Sequence, residues 1–113
     1  MGILSNSKDR LIENLALPLL NKSLLAPYGR ATRLSLNSAA KTVEVELQLT
    51  GELEPVRLQV TRYELLKEGD NAYAIIKEIQ TSREWLTTLA RQHLLNRQLK
   101  LPSQVKSLVF RFL

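Results

Sequence analysis

Cysteine is absent from this chain of 113 residues, and His93 is its single histidine. Disulfides, thiolate metal sites and thiol catalysis are therefore excluded, and a histidine cluster cannot hold a metal ion. The four glycines are isolated from one another, so the chain has no glycine-rich phosphate-binding loop. These absences lead us to expect neither a metal nor a cofactor.

Aromatic residues make up only 5% of the chain, so the core must be built mainly from Leu, Val and Ile. Long hydrophobic runs are also missing: the most apolar stretch, residues 15–26, is interrupted by polar residues, whereas a membrane span needs ~20 apolar residues. The N-terminus has no charged leader followed by an apolar run, and the lack of cysteine suits a reducing compartment. We therefore expect one cytoplasmic domain, residues 1–113, without a transmembrane segment.

Common catalytic patterns are also missing from the sequence. His93 lies beside the apolar stripe of a predicted helix, and no nucleophile elbow accompanies it. Glu44 and Glu46 are two residues apart, a spacing that puts both carboxylates on one face of a strand. That face also carries Thr, Gln and Arg, so we expect both glutamates to be solvated surface residues. We predict no catalytic residue and a protein that is not an enzyme.

Two runs of residues alternate strictly between apolar and polar side chains, which predicts strands with one buried and one solvated face. Beyond Val60 the apolar positions move by one residue, to Tyr63 and Leu65. A slip that persists in this way predicts a β-bulge near Thr61, which bends the third strand. The predicted buried faces comprise Val43, Val45, Leu47 and Leu49 in the first run, and Val56, Leu58 and Val60 in the second.

The remaining patterns place helices before and after a four-stranded antiparallel meander. Apolar residues at three- and four-residue steps predict an N-terminal helix over residues 7–25, which Pro18 kinks or restarts. Residues 68–71, Glu-Gly-Asp-Asn, are a strong hairpin-turn sequence ahead of the fourth strand. We predict the strands over residues 32–37, over residues 41–49, from residue 56 onward, and over residues 72–79.

Two helices are predicted after the sheet. Thr81 and Glu84 have the spacing of a capping box, so the first helix should open at Thr81. Pro102 starts the second, although residues 107–113 also fit an edge strand; we prefer the helix. The predicted apolar face of the first helix comprises Trp85, Leu86, Leu89, Ala90, His93 and Leu94, and that of the second Val105, Leu108, Val109 and Phe112.

These elements define the fold class that we predict, which is α+β. An N-terminal helix precedes a four-stranded antiparallel meander with a bend in the third strand, and two C-terminal helices then pack on one sheet face. The gap between a bent sheet and apolar helices has the outline of helix-grip, cystatin-like and tubular lipid-binding modules, which often hold apolar ligands there. That analogy concerns architecture alone, because a fold does not determine a function.

Charge is distributed unevenly along the chain. The first 81 residues hold ten basic and ten acidic side chains, whereas the last 32 hold six basic and one acidic, so the net charge of +5 lies in the last 32. This asymmetry is typical either of a solvated helix face or of contact with an anionic surface, either lipid headgroups or nucleic acid. The candidate surface contacts are Arg91, Arg97, Lys100, Lys106 and Arg111.

The leading functional prediction is a small non-enzymatic binding module for an apolar ligand or a protein partner. The ligand would be an apolar small molecule or a lipid in the gap between sheet and helices. A homodimer is a further candidate, because a sheet with uncovered edges can pair with a second copy. The alternative function is peripheral attachment to an anionic surface through the basic C-terminal segment. Nucleic acid is the less expected of these partners, because no aromatic residues that could stack on bases are interleaved with the basic ones.

Overall fold

A computed structural model describes the backbone of residues 3–112 and the side chains of residues 8–22 and 25–107. The fold is α+β, with one antiparallel sheet in the order β1-β2-β3-β4-β5 and three α-helices in the described residues. The helices are α1 (Ile3–Leu20), which continues as a π-helical turn (Asn21–Leu25), α2 (Glu84–Leu94) and α3 (Ser103–Phe112). The strands are β1 (Gly29–Asn37), β2 (Thr42–Leu49), β3 (Val56–Glu68), β4 (Asn71–Thr81) and β5 (Gln98–Lys100).

The prediction of four strands was wrong by one, because β5 joins the sheet after α2. Its residues pair with β4 in the register Tyr73↔Lys100, Ala74↔Leu99 and Ile75↔Gln98. Three residues are too few for an alternation to stand out in the sequence. The helix that we preferred for the C-terminal segment is confirmed as α3, and its Leu108, Val109 and Phe112 side chains lie outside the described ones.

Helix α1 begins earlier than predicted and runs through Pro18. Proline has no N–H to donate to the carbonyl of Asn14 one turn earlier, so the regular hydrogen-bond ladder is interrupted there. Two residues after Pro18 the helix ends, and the chain continues in the wider π-helical turn. The predicted irregularity is therefore a change of helix type over Asn21–Leu25.

The bulge predicted near Thr61 is confirmed, and β4 carries a matching irregularity. The pairing passes from Val60↔Ile79 to Arg62↔Glu78, which skips Thr61 on β3, and then to Tyr63↔Ile76, which skips Lys77 on β4. At this point each strand changes which of its residues, odd- or even-numbered, point inward. Val60 and Tyr63 therefore both point inward although they are three residues apart. The local bend that bulges produce makes the inner face of the sheet concave.

Helix α2 packs on this inner face. Leu86 packs against the buried cluster of Ala31, Val45, Leu47 and Val56, and Ala90 is buried together with Val60, Tyr63 and Ile79. The predicted face was too wide, because Trp85 is 53% and Leu89 46% exposed.

The predicted capping box was wrong, because α2 begins at Glu84 and Thr81 is the last residue of β4. The Thr81 hydroxyl accepts a hydrogen bond from the Arg83 N–H at 3.1 Å. It also lies 2.9 Å from the Thr87 hydroxyl.

Polar side chains of α1 and of its π-helical turn cover part of the sheet edge that β1 forms. Asp9 Oδ2 accepts the Ser38 N–H at 3.0 Å, and Glu13 Oε2 accepts the Leu36 N–H at 2.7 Å. The Asn21 amide bonds both the N–H and the carbonyl of Ala31. Asp9 and Glu13 are four residues apart, so they lie on the same side of α1, and Asn21 belongs to the π-helical turn that follows. The homodimer prediction depended on uncovered sheet edges; of the two edge strands, β1 is partly covered in this way, and the homodimer stays a prediction.

Candidate ligand-binding cavity

A partly open cavity of about 430 Å³ lies between the concave face of the sheet, α1 and α3. All five strands contribute to its wall, from Leu34 on β1 to Leu99 on β5, and Ile12 and Val105 close it from the two helices. Fourteen of its eighteen lining residues are Leu, Val, Ile or Ala. The wall is therefore an almost continuous aliphatic surface, and its volume falls within the ~300–1,000 Å³ of small-ligand sites.

Strand alternation and the bulges explain why these side chains meet. Val43 and Val45 point to one face of β2 at a two-residue step, and Leu58 and Val60 do the same on β3. Without the bulge, Tyr63 would point away from the face that carries Val60. The double irregularity in β3 and β4 brings the distal half of the long hairpin onto the same wall, which extends the cavity toward β5.

The polar lining residues gather at one end of the cavity. Lys8 and Ser38 lie together there, because the neighbouring Asp9 accepts the Ser38 N–H. The Lys41 ammonium lies 5.8 Å from the centre of the Tyr63 ring, a distance typical of a cation–π contact. Lys41 adopts a positive φ of 61° at the end of the β1–β2 turn, which aims the chain back into β2.

Asp9 and Tyr63 are both buried beneath this end. Asp9 is only 3% exposed, and its Oδ1 has no hydrogen-bond partner among the described residues. Burial raises the pKa of the Tyr63 hydroxyl above its ordinary value of 10.0, and the negative charge of Asp9 raises that pKa further. Tyr63 therefore remains a neutral hydrogen-bond donor over a wider pH range than a tyrosine in water.

The glutamates of the strand pattern lie away from the cavity. Glu44 is exposed on the outer face of β2, where its Oε1 lies 3.3 Å from Arg57 Nε and its Oε2 accepts from the Gln59 amide at 3.3 Å. The Thr32 hydroxyl contacts a carboxylate oxygen of Glu46 at 3.3 Å. Such exposed pairs contribute only ~0.2–1 kcal/mol and mainly fix the register of the strands.

Metal-binding clusters are absent from the described part of the chain: no three His, Asp or Glu residues lie close enough to hold an ion. His93 is exposed on α2, apart from the cavity lining. Within residues 3–112, none of the helices has the length and hydropathy of a membrane-spanning segment.

The predicted basic contacts are spread over several elements. The Arg91 Nε donates to the Ile79 carbonyl at 3.3 Å, so this side chain is held against β4. Arg97 is exposed just before β5, and Lys100 lies on the outer face because Leu99 points inward. Lys106 is half-buried on α3, and the side chain of Arg111 lies outside the described ones. Attachment to an anionic surface through these residues stays a prediction.

Sequence reasoning missed the polar residues at the end of the cavity. Lys8 carries a weak signal, because it precedes Ile12 by one helical turn and therefore shares its face. Ser38 and Lys41 carry none, because they lie in a turn and meet α1 only through tertiary structure.

Comparison with family models, curated proteins and solved structures finds no match for this chain, so its function is inferred from the cavity itself.

Proposed function

We propose that this protein is a non-enzymatic binding module that holds an apolar ligand in the cavity beneath its bent sheet. One observation carries the proposal: a concave volume of about 430 Å³ is lined by fourteen aliphatic residues, which come from all five strands, α1, α3 and the segment between β5 and α3. Aliphatic side chains around an open cavity forgo dispersion contacts and leave apolar surface exposed to water. An apolar ligand that fills the cavity supplies those contacts and covers that surface.

The size of the cavity favours a small molecule or a lipid chain over a protein partner. A helix with its side chains is ~10–12 Å across, so a single turn of 5.4 Å fills ~400–600 Å³. The cavity of about 430 Å³ thus has room for about one helical turn. A helix docked in a groove needs several turns of anchoring residues. A flexible aliphatic chain needs no such length of rigid contact.

The test compares two neighbouring substitutions on β4. Ala74 lines the cavity, whereas Ile75 follows it with its side chain on the opposite face of the strand. Binding of the neutral apolar dye N-phenyl-1-naphthylamine is measured by its fluorescence, with circular dichroism as the check of folding. We expect wild type and Ile75→Phe to bind the dye, and Ala74→Phe, whose ring fills the cavity, to bind it at least ~10-fold more weakly.

Two outcomes would contradict the proposal. One is a wild-type protein that binds neither the dye nor an aliphatic alcohol such as dodecanol. The other is an Ala74→Phe variant that folds and binds the dye as tightly as wild type, which would place the dye elsewhere. Should Ala74→Phe fail to fold, Leu99→Phe on β5 makes the same test from the opposite wall, because Leu99 also lines the cavity.

A further inference from the structure

The polar groups of the cavity are distributed asymmetrically. The polar residues of the lining are Lys8, Ser38, Lys41 and Tyr63, and the contacts through Asp9 and the Tyr63 ring bring them to one end. Along α1 the lining runs from Lys8 to Leu20, twelve residues later, which is ~18 Å at 1.5 Å per residue. The site is therefore elongated, with polar groups at one end and aliphatic side chains along the rest.

Both charged residues in the lining are basic. They are Lys8 and Lys41, and no Asp or Glu belongs to the described lining. Asp9 is turned toward the backbone of Ser38 and does not belong to the lining. The contact with the Tyr63 ring holds the Lys41 ammonium over the cavity wall.

We propose that the ligand is a single-chain amphiphile with an anionic head group, of the class of fatty-acid carboxylates, with its head at Lys8 and Lys41 and its chain along the aliphatic wall. This inference rests on the proposed function, since it assigns the chemistry of the ligand in the same cavity. Ammonium groups bond carboxylates through charge-assisted hydrogen bonds, which are roughly twice as strong as neutral ones. An alcohol of the same chain length would make the same contacts with the aliphatic wall, but its neutral hydroxyl would bind the lysines less strongly than a carboxylate does.

The experiment measures displacement of N-phenyl-1-naphthylamine from the full chain by three ligands that share a dodecyl chain: dodecanoate, dodecanol and dodecyltrimethylammonium. All are kept below their aggregation concentrations at pH 8. We expect dodecanoate to bind at least ~10-fold more tightly than dodecanol, because a hydrogen bond to a charged group contributes ~1.5–3 kcal/mol. Dodecyltrimethylammonium should bind most weakly of the three, and added salt should reduce the difference in affinity between dodecanoate and dodecanol.

Variants test which lysines recognise the head group. Lys41→Met keeps an unbranched chain and removes the charge, so the ratio of dodecanoate affinity to dodecanol affinity should fall several-fold. The double variant with Lys8→Met should abolish the preference for the anion. Lys100→Met is the matched control, because Lys100 is exposed on the outer face of the sheet; it removes the same charge and should change neither affinity.

Each outcome separates this inference from the proposed function. Equal affinity of wild type for dodecanoate and dodecanol overturns the anionic head group and leaves the apolar site intact. A preference for the anion that survives in the double variant overturns the role of the two lysines. Failure of all three ligands and of the dye to bind removes the proposed function, and this inference falls with it.

Discussion

Asp9 and Tyr63 show how single residues set the properties of the cavity end. Asp9 supports the β1–β2 turn through Ser38, and its charge acts on Tyr63, which lines the cavity and is buried at 9% exposure. A buried phenol beside a buried carboxylate resists ionisation, because the phenolate would lose its hydration and face a like charge. Neither residue type is rare, so the sequence alone does not single them out; only their proximity, 54 positions apart in the chain, gives them a role.

Tyr63 should make the stability of the protein fall at high pH. Its pKa in the folded state is raised above 10.0, the ordinary value, which is the value it regains on unfolding. Its stabilising contribution is therefore fully present below about pH 10 and is lost as the pH rises from there through the folded-state value, because unfolding then releases a proton. Urea unfolding at several pH values between about 8 and 11 measures this loss, and Tyr63→Phe should lose less stability than wild type over that range. Parallel curves for the two proteins would show that Tyr63 ionises equally easily in both states.

At the scale of elements, polar side chains on α1 take up hydrogen-bonding groups that an edge strand would otherwise expose. The unpaired N–H and C=O groups of an edge strand can pair with another chain. Asn21 bonds both backbone groups of Ala31, which is 3% exposed, so these groups have no ready substitute partner in water. The helical segment therefore has two roles. Lys8, Ile12 and Leu20 line the cavity, and the next residue after each, Asp9, Glu13 and Asn21, bonds the backbone of β1 or of the turn that follows it.

Asn21→Ala should destabilise the domain by about 1–3 kcal/mol, the typical cost of leaving a buried hydrogen-bonding group unsatisfied. Lys22→Ala is the control, because Lys22 is exposed and follows directly in the same π-helical turn. Urea unfolding measures the free energy, and sedimentation at several concentrations reports whether the uncovered edge promotes self-association. Equal stability of Asn21→Ala and Lys22→Ala would mean that the Asn21 bonds to Ala31 contribute nothing.

Elements with a strong period were predictable, and elements fixed by tertiary contacts were not. The alternation in residues 43–49 and 56–60 predicted β2 and the start of β3, and the shift to Tyr63 predicted the bulge. Thr81 was misread as a helix cap because its hydroxyl and the spacing to Glu84 fit that motif, whereas β4 extends through Thr81 and pairs it with Leu58. A local sequence pattern does not show how far along a strand the pairing with its neighbour continues.

At the scale of the whole molecule, the cavity follows from a curved sheet that its helices do not fill. Helix α2 packs tightly on one half of the inner face through Leu86 and Ala90. Over the other half, α1 and α3 stand at the rim, and a space of about 430 Å³ remains. The sequence predicted a gap between bent sheet and helices. It could not predict the volume of that gap or its cationic end, because both depend on how residues distant in sequence come together.

The central claim is that an apolar chain occupies the inner face of the sheet, and methyl NMR tests it most directly. Protein with labelled Ile, Leu and Val methyl groups is titrated with dodecanol. We predict chemical-shift changes at the cavity residues Val45, Val60 and Leu99, and none at Leu53 and Leu11, which are 100% and 50% exposed. Changes confined to the exposed leucines, with the cavity methyls unmoved at saturation, would contradict the claim.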